Sequence, residues 1–203
     1  MKCYTCQYDR CLVGFIVISP IYLNNQLIVA TPNLGDIHFH RTVAFICEHN
    51  ENGAVGIIIN RPLNIRLDHL FSQMKIKPVN ESLKLQPILY GGPIQQERGF
   101  VIHRPAGQWR SSLILTDDIA VTTSQDLVES IAQDEGPSDV LVALGYAGWG
   151  PQQLEAELAA NAWLSCPAKP DILFNTPFAN RWKMAASEIG FDMEHFSTEI
   201  GHA

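Results

Sequence analysis

Apolar residues recur along the chain in short runs bounded by turn-forming residues, a pattern typical of a protein rich in β-strands. We predict strands over residues 27–30, 42–47, 54–59, 88–90, 98–103, 112–115, 140–144 and 172–174. The Asn52-Gly53 pair lies between two of these runs and predicts a hairpin, with a loop longer than the tightest type. We therefore expect the runs at 42–47, 54–59, 98–103 and 140–144 to join one connected sheet in one domain.

Between the runs, apolar residues recur at helical spacing behind capping residues. Asn64 is placed to cap a first helix, and Thr122 opens a capping box ahead of a second. Pro151 and Pro177 stand at the first positions of two more helices, the last of them capped by Thr176. The chain therefore mixes strands with helices.

The stretch 140–158 predicts a buried strand, a glycine-rich loop and a helix, around which we expect the chain to be arranged. A helix that begins behind such a loop can bind an anion. The glycines at 145, 148 and 150 follow the order G-x-x-G-x-G, however, which is not the dinucleotide pattern, and Asp171 precedes the next strand instead of ending it. No G-K-[ST] sequence is present. A tight turn is therefore favoured over a phosphate site.

Composition and charge exclude some classes of partner. The 203 residues are 46% hydrophobic and 17% charged, with a net charge of −7, and no two basic residues are adjacent. Nucleic-acid binding usually needs clustered lysine and arginine, so we expect no direct sequence-specific binding to nucleic acid. No apolar run approaches the ~20 residues of a membrane span, so we expect no membrane partner.

The cysteines are few and unevenly placed. Cys3, Cys6 and Cys11 crowd the N-terminus, whereas Cys47 and Cys166 stand alone near apolar segments. The odd number and the spacing do not fit a secreted disulfide framework. The apolar run at residues 12–18 is short and is followed by no evident small-residue cleavage site, so we expect no signal peptide. We therefore predict a reducing, cytoplasmic setting, with residues 1–20 as an extension.

Two groups of residues raise the possibility of a metal site. The three N-terminal cysteines lack a fourth ligand unless Cys47 or His49 supplies it, and His38 with His40 forms only a pair. We expect neither group to bind zinc or iron, and we expect no cofactor. Cys47 and His49 also resemble a thiol–imidazole pair, but a buried structural cysteine is favoured because a nucleophile needs an oriented base.

Scattered motifs identify a family resemblance, from about residue 23 to 191. They are F-x-R-T-V at 39–43, E-H-N at 48–50, G-A-V-G at 53–56, N-R-P at 60–62, Y-G-G-P at 90–93, R-G-F at 98–100, His103, G-Y-A-G-W-G at 145–150, Q-L-E at 153–155 and N-A-W at 161–163. Together they resemble the YqgE/AlgH family of bacterial proteins, also labelled UPF0301. The extension at 1–20 lies outside the family pattern, and Gln152 replaces a family glycine.

The resemblance implies an α+β fold: a single domain, residues 21–203, with a mixed, curled and partly barrel-like β-sheet and helices packed on its faces. It implies no established enzymatic activity, and some members carry the label of transcriptional regulator. We therefore expect a cytoplasmic, non-enzymatic regulatory or interaction protein with a protein or small-molecule partner. Two rivals stay open: an enzyme that binds a small molecule or nucleotide through the glycine loops at 91–93 and 145–150, and a direct DNA-binding regulator.

Both glycine loops follow apolar strands, so we expect them to meet at a sheet edge and form a ligand or partner surface. Aromatic residues and a planar guanidinium are common at binding surfaces. The candidate residues are Gly91, Gly92, Pro93, Arg98, His103, Tyr146, Gly148 and Trp149. The alternative is that the aromatic residues are core residues and that Arg98 pairs with a local acid.

Overall fold

The computed structural model describes residues 22–32, 34–37 and 39–190, and strands in these ranges form one ten-stranded sheet system. The predictions for the extension at 1–20, for its three cysteines and for His38 concern residues outside this part. The strands are β1 (Gln26–Ala30), β2 (Val43–Asn50), β3 (Gly53–Ile58), β4 (Pro62–Arg66), β5 (Pro87–Tyr90), β6 (Ile94–Arg104), β7 (Ser112–Ile114), β8 (Ala120–Thr122), β9 (Asp139–Trp149) and β10 (Trp163–Pro167).

The helices lie between the strands and pack on the curled sheet. They are α1 (Leu67–Gln73), α2 (Gln125–Ala132), α3 (Gln153–Ala159) and α4 (Phe178–Glu188), with a 3₁₀ turn at Glu81–Leu85 and a π-helical turn at Asp171–Asn175. No helix in the described ranges has both the length and the apolarity that crossing a bilayer requires. The α+β fold with a curled, half-barrel sheet is confirmed.

The order of the strands is β10-β1-β2-β3-β9-β6-β8-β7, with β4 paired to β5 and β5 paired to β9. The strands predicted at 42–47, 54–59, 98–103 and 140–144 are therefore connected, as expected. The β2–β3 hairpin is tighter than predicted, because Asn50 pairs directly with Gly53 and only residues 51 and 52 form the turn. A register shift between Ile46 and Glu48 places the extra residue within β2 instead of in the loop.

The predicted glycine-rich loop at 145–150 is wrong, because β9 continues through it to Trp149. The small residues are partners of β3 in the sheet: Gly148 lies opposite Val55, and Ala147 lies opposite Gly56. Gly148 is held by its pairing with β3, and Gly145, with φ +74°, lies between two residues that pair with β6, although local sequence favours a turn. The helix then begins at Gln153 behind Gln152, which adopts a left-handed conformation with φ 60°.

Tertiary pairing also overrides other local predictions. Residues 172–174 were predicted as a strand but form the π-helical turn, whereas residues 163–167, which end in a proline, form strand β10. Asn64 lies in β4 and does not cap a helix, because 62–66 pairs with β5. Strand β10 is stabilised by continuous antiparallel pairing with β1, which no local pattern at 163–167 indicates.

Two of the predicted caps are also wrong. Thr122 is a buried residue of β8, and α2 is preceded by Ser124 instead. Thr176 does not cap α4, because its hydroxyl donates to the carbonyl of Asp171 at 2.9 Å and Pro177 holds the N-cap position. In both places the hydroxyl finds a partner outside the helix that it was expected to cap.

Alternate residues of β2 and β3 divide between the two faces of the sheet, as the two-residue repeat of a strand requires. Phe45 and Ile57 lie in a cluster under α4, on the inner side of the curl. Ile46 and Ile58 lie in a second cluster, which includes Trp163. Both faces of these central strands are therefore buried, which explains why their apolar runs are continuous and not alternating.

The turn after β5 crosses under β9 and packs closely against its backbone. The Gly91 N–H donates to the carbonyl of Leu144 at 2.8 Å, and its own carbonyl accepts from the Ile58 N–H at 2.8 Å. A Cβ added to Gly91 would lie 2.2 Å from the carbonyl oxygen of Gly145, and one added to Gly92 would lie 2.1 Å from the carbonyl carbon of Tyr146. Only glycine fits at these two positions.

We predict that Gly92→Ala abolishes folding or costs at least about 4 kcal/mol of unfolding free energy. Gly92 has φ +152°, where a side chain is strained, and the added methyl group would overlap the β9 backbone. The control is Gly99→Ala, since nothing lies within 4 Å of a Cβ at that position. Urea unfolding measures the unfolding free energy of both variants. Equal stabilities would show that the backbone of β9 does not pass this close to Gly92.

Candidate functional site

Two adjoining cavities form a groove at the open mouth of the curled sheet. The first, of about 400 Å³, lies between the β2–β3 hairpin and the C-terminal end of β9. The second, of about 340 Å³, lies between β2, β3 and the strands β6, β7 and β8. Both are lined by Glu48 and Val55, so they share one wall. We call this combined surface the mouth groove.

The structure brings five of the predicted site residues to the mouth groove or directly beside it. Tyr146, Gly148 and Trp149 line its first cavity, and Arg98 lines its second. Pro93 is exposed next to Ile94, which also lines the first cavity. The groove therefore includes residues from both glycine-containing segments.

The other predicted residues are structural in their surroundings. Gly91 and Gly92 are buried at the crossing under β9. The backbone of β9 fills the space beside each of them, so neither has room for a ligand. His103 is fully buried and belongs to the part of β6 that pairs with β8, away from the groove. Its ring bonds the carbonyl of Pro105 at 3.0 Å and the hydroxyl of Thr122 at 2.8 Å, and burial lowers its pKa.

A bulge in β6 presents Arg98 to the groove. Ile94 pairs with Tyr146 and Gly99 pairs with Leu144, so residues 95–98 of β6 stand opposite the single residue between those partners. The extra residues are exposed, which is usual for a bulge beside a site. The sequence prediction began this strand at residue 98, so it included neither the pairing of Ile94 nor the bulge.

The Arg98 guanidinium is held by weak contacts. Its carbon lies 5.5 Å from the centre of the Phe100 ring, and Nη1 donates to Oε1 of Gln95 over 3.4 Å. No carboxylate of the described residues lies within ion-pair distance of it. The Phe100 ring in turn contacts Tyr146 edge to face, with centroids 5.7 Å apart. An aromatic pair with an available cation therefore borders the groove.

Trp149 contributes to the groove but its indole is a core group. The residue is only 5% exposed, and its ring contacts Phe39 and Trp163 at centroid distances of 6.2 and 5.8 Å. Its Nε1–H donates to Oε2 of Glu157 at 2.9 Å, and the Trp163 indole donates to the same oxygen at 2.8 Å. One carboxylate of α3 thus satisfies two buried indoles and fixes α3 to the sheet.

Cys47 and His49 do not form a thiol–imidazole pair. The Cys47 thiol donates to its near neighbour, the carbonyl of Phe45, at 3.5 Å. The His49 ring accepts from the Leu23 N–H at 3.0 Å and contacts Oε1 of Glu155 at 3.1 Å. Burial, with a smaller contribution from the Glu48 carboxylate, raises the pKa of the Cys47 thiol strongly, so the thiol stays protonated and is a poor nucleophile.

Sequence reasoning missed the polar wall of the groove. Glu48 is exposed although its neighbours in β2 are buried, and its carboxylate accepts from the Asn50 side-chain amide at 2.8 Å. Glu48 follows the apolar run at 42–47 and was assigned to the loop, whereas β2 continues through it to Asn50. Among the residues that the structure describes, no group of three or more His, Cys, Asp or Glu side chains is placed to hold a metal ion.

We predict that Cys47 makes the protein less stable at alkaline pH. Its pKa is raised above its ordinary value of 9.0, so the unfolded chain ionises first and stability falls as pH rises through 9. Between about pH 8 and pH 10.5, the free-energy difference between wild type and Cys47→Ala should shrink by about 2 kcal/mol. Urea unfolding under reducing conditions at each pH measures this free-energy difference. A difference that does not change with pH would show that the folded thiol ionises freely.

Comparisons with known proteins find a matching family model and similar curated proteins. A family model described as AlgH-like (DUF179) matches residues 27–194. A UPF0301 protein of Nitrosococcus oceani is 53% identical over 182 residues, which cover 90% of this chain and 97% of that protein. A UPF0301 protein of Legionella pneumophila (strain Lens) is 52% identical over 181 residues, covering 89% and 97%.

Two solved structures are similar. The solution structure of the AlgH protein from Pseudomonas aeruginosa has a TM-score of 0.74 and 42% identity, covering 91% of this chain and 98% of that one. A crystal structure of a protein from Corynebacterium diphtheriae has a TM-score of 0.64 over 79% of this chain and 83% of its own, and at 20% identity it shows the fold alone. The family resemblance is thus confirmed, and this chain belongs to the AlgH-like (UPF0301) family.

Proposed function

We propose that this protein is a non-enzymatic regulatory or interaction protein of the cytoplasm, which holds an extended segment of a partner protein in the mouth groove. The observation that carries the proposal is that the groove runs up to the unpaired edge of strand β7. Leu113 and Ser112 of β7 line the groove, and β7 pairs only with β8 in the described sheet.

The edge of β7 has the features of a strand that accepts another strand. Natural edge strands are usually protected by charges, prolines or covering elements. In β7, Leu113 is 42% exposed and Ile114 is 54% exposed, and neither is charged. An extended peptide laid along this edge would gain backbone hydrogen bonds, while alternate side chains would enter the groove.

The polar groups of the groove favour a peptide that carries both charges. Arg98 offers a planar fork to a carboxylate, and Glu48 offers a carboxylate to a cation. The rings of Tyr146 and Phe100, which contact each other, together supply aromatic contact area for the peptide. Complementary charges of this kind set the register and direction of a bound segment more than they set its affinity.

The groups that could perform catalysis are engaged elsewhere, which supports a binding role over an enzymatic one. Cys47 is a buried, protonated thiol, and His49 and His103 are both fixed by buried hydrogen bonds. The alternative role in nucleotide binding requires open space beside the glycines. At Gly91 and Gly145 that space is filled by the backbone of the crossing, which counts against this role. The net charge of −7 counts against direct DNA binding.

We predict that decapeptides selected from a random phage-displayed library bind along β7. In amide NMR spectra, a selected peptide should shift residues 111–114 and 98–100 and slow the hydrogen exchange of the β7 edge. Leu113→Lys should weaken this binding about tenfold or more, because it places a charge where an apolar side chain docks.

The matched control is Val79→Lys, which makes the same kind of change at a residue that is 62% exposed and distant from the groove lining. It should leave peptide affinity unchanged. Selected peptides that map elsewhere on the surface, or that tolerate Leu113→Lys as well as Val79→Lys, would refute the proposal.

A further inference from the structure

Arg181 is a buried arginine at the sheet-facing side of α4. The residue is 1% exposed. Its Nη1 donates to the carbonyl of Ile59 at 2.6 Å, and its Nε donates to the carbonyl of Thr176 at 3.0 Å. The guanidinium carbon lies 4.4 Å from the centre of the Phe178 ring. The position of the side chain is therefore fixed from three sides.

The charge of Arg181 is not balanced by the protein around it. No carboxylate of the described residues lies within ion-pair distance of the guanidinium, and its Nη2 has no hydrogen-bond acceptor among them. Burial lowers its pKa to about 10, which leaves it protonated at neutral pH. Buried charges in proteins are normally paired, because an unpaired one costs several kcal/mol. An anion would satisfy both the charge and the remaining donors.

Arg181 lines a cavity of about 290 Å³ that is separate from the mouth groove. The cavity lies between Gln86 at the start of β5, the N-terminal part of β9 and the connection into α4. Residues 140–142 of β9 pair with β6 on one edge, and the pairs that β5 forms with β9 begin at Ala143. Gln86, just before β5, and Pro87, its first residue, line the cavity together with residues 140–142.

The beginning of α4 faces the same cavity and adds to the positive field. Phe178 and Pro177 line the cavity, and the first turn of this eleven-residue helix contains no acidic residue and no side-chain cap. Free N–H groups at a helix start favour an anion. The rest of the wall is largely apolar, from Val140, Leu141 and Phe174 among others. This mixture suits an organic anion better than a bare inorganic ion.

We propose that this cavity binds a small organic anion, with its carboxylate or phosphate head on Arg181 and the start of α4, and its apolar body against the β9 wall. The cavity volume limits the ligand to a small molecule, since about 290 Å³ is at the lower end of the range for ligand pockets. The site is independent of the mouth groove and of what binds there. Both head groups share the chemistry that the guanidinium fork recognises.

The test is an NMR titration of the full chain with benzoate, phenyl phosphate and neutral benzamide at constant ionic strength. We expect benzoate or phenyl phosphate to produce saturable amide shifts at residues 174–181, with Kd in the millimolar range or below. Benzamide should bind at least about tenfold more weakly, because it lacks the charge. The stronger of the two anions identifies the head group.

A charge variant separates a binding role from a structural one. Gln86→Glu places a carboxylate at the cavity wall and should weaken anion binding about fivefold or more, through repulsion alone. Gln108→Glu makes the same charge change at an exposed residue outside the cavity lining and should leave binding unchanged. Arg181→Lys, if folded by its amide spectrum, should also lose affinity.

Three results would overturn the proposal. The first is the lack of a saturable shift with either anion at about 20 mM, the upper end of plausible affinity for such small probes. The second is equal binding of benzamide and benzoate. The third is an equal effect of Gln86→Glu and Gln108→Glu on affinity. In each case Arg181 would serve only to fix α4 to the end of β3.

Discussion

The fold depends on the backbone crossing at which Gly91 and Gly92 pass beneath Gly145 and Tyr146. At this point β9 exchanges its neighbour: on the edge opposite β6, it pairs first with β5 in parallel and then with β3 in antiparallel fashion. Gly91 fills the gap between these two partners by bonding to Leu144 and to Ile58. A side chain at Gly91 or Gly92 would overlap the backbone of β9 at this point.

Both proposed sites are consequences of this arrangement of β9. Beyond the crossing, β9 lies beside β3, and the bulge of β6 opposite Gly145 presents Arg98 to the mouth groove. Before the crossing, residues 140–142 of β9 line the cavity together with Arg181 and the residues at the start of β5. The central strand thus separates an exposed groove with opposite charges from a small pocket with one buried cation. We infer different classes of ligand for them because the surfaces differ in charge, size and exposure.

The sequence predicted the strands whose apolar runs are long, because burial on both faces leaves a continuous signal in β2 and β3. It could not predict β10, whose conformation is decided by pairing with β1. Nor could it predict that β9 continues through glycines that resemble a turn. Tyr146 and Arg98 were predicted as candidate residues from their type and setting, and both line the mouth groove. Arg181 was missed, because a lone arginine in an amphipathic helix is indistinguishable in sequence from a surface residue.

Native-state amide hydrogen exchange tests the importance of the crossing most directly. The N–H groups of Gly91 and Ile58 should exchange only through global unfolding, with a free energy equal to that from urea denaturation, since they bond across the crossing. Amides on the free edge of β7 should exchange through far smaller local openings. If Gly91 and Ile58 exchanged as readily as Leu113, the crossing would be a peripheral turn, and the account of β9 as the strand that organises both sites would be contradicted.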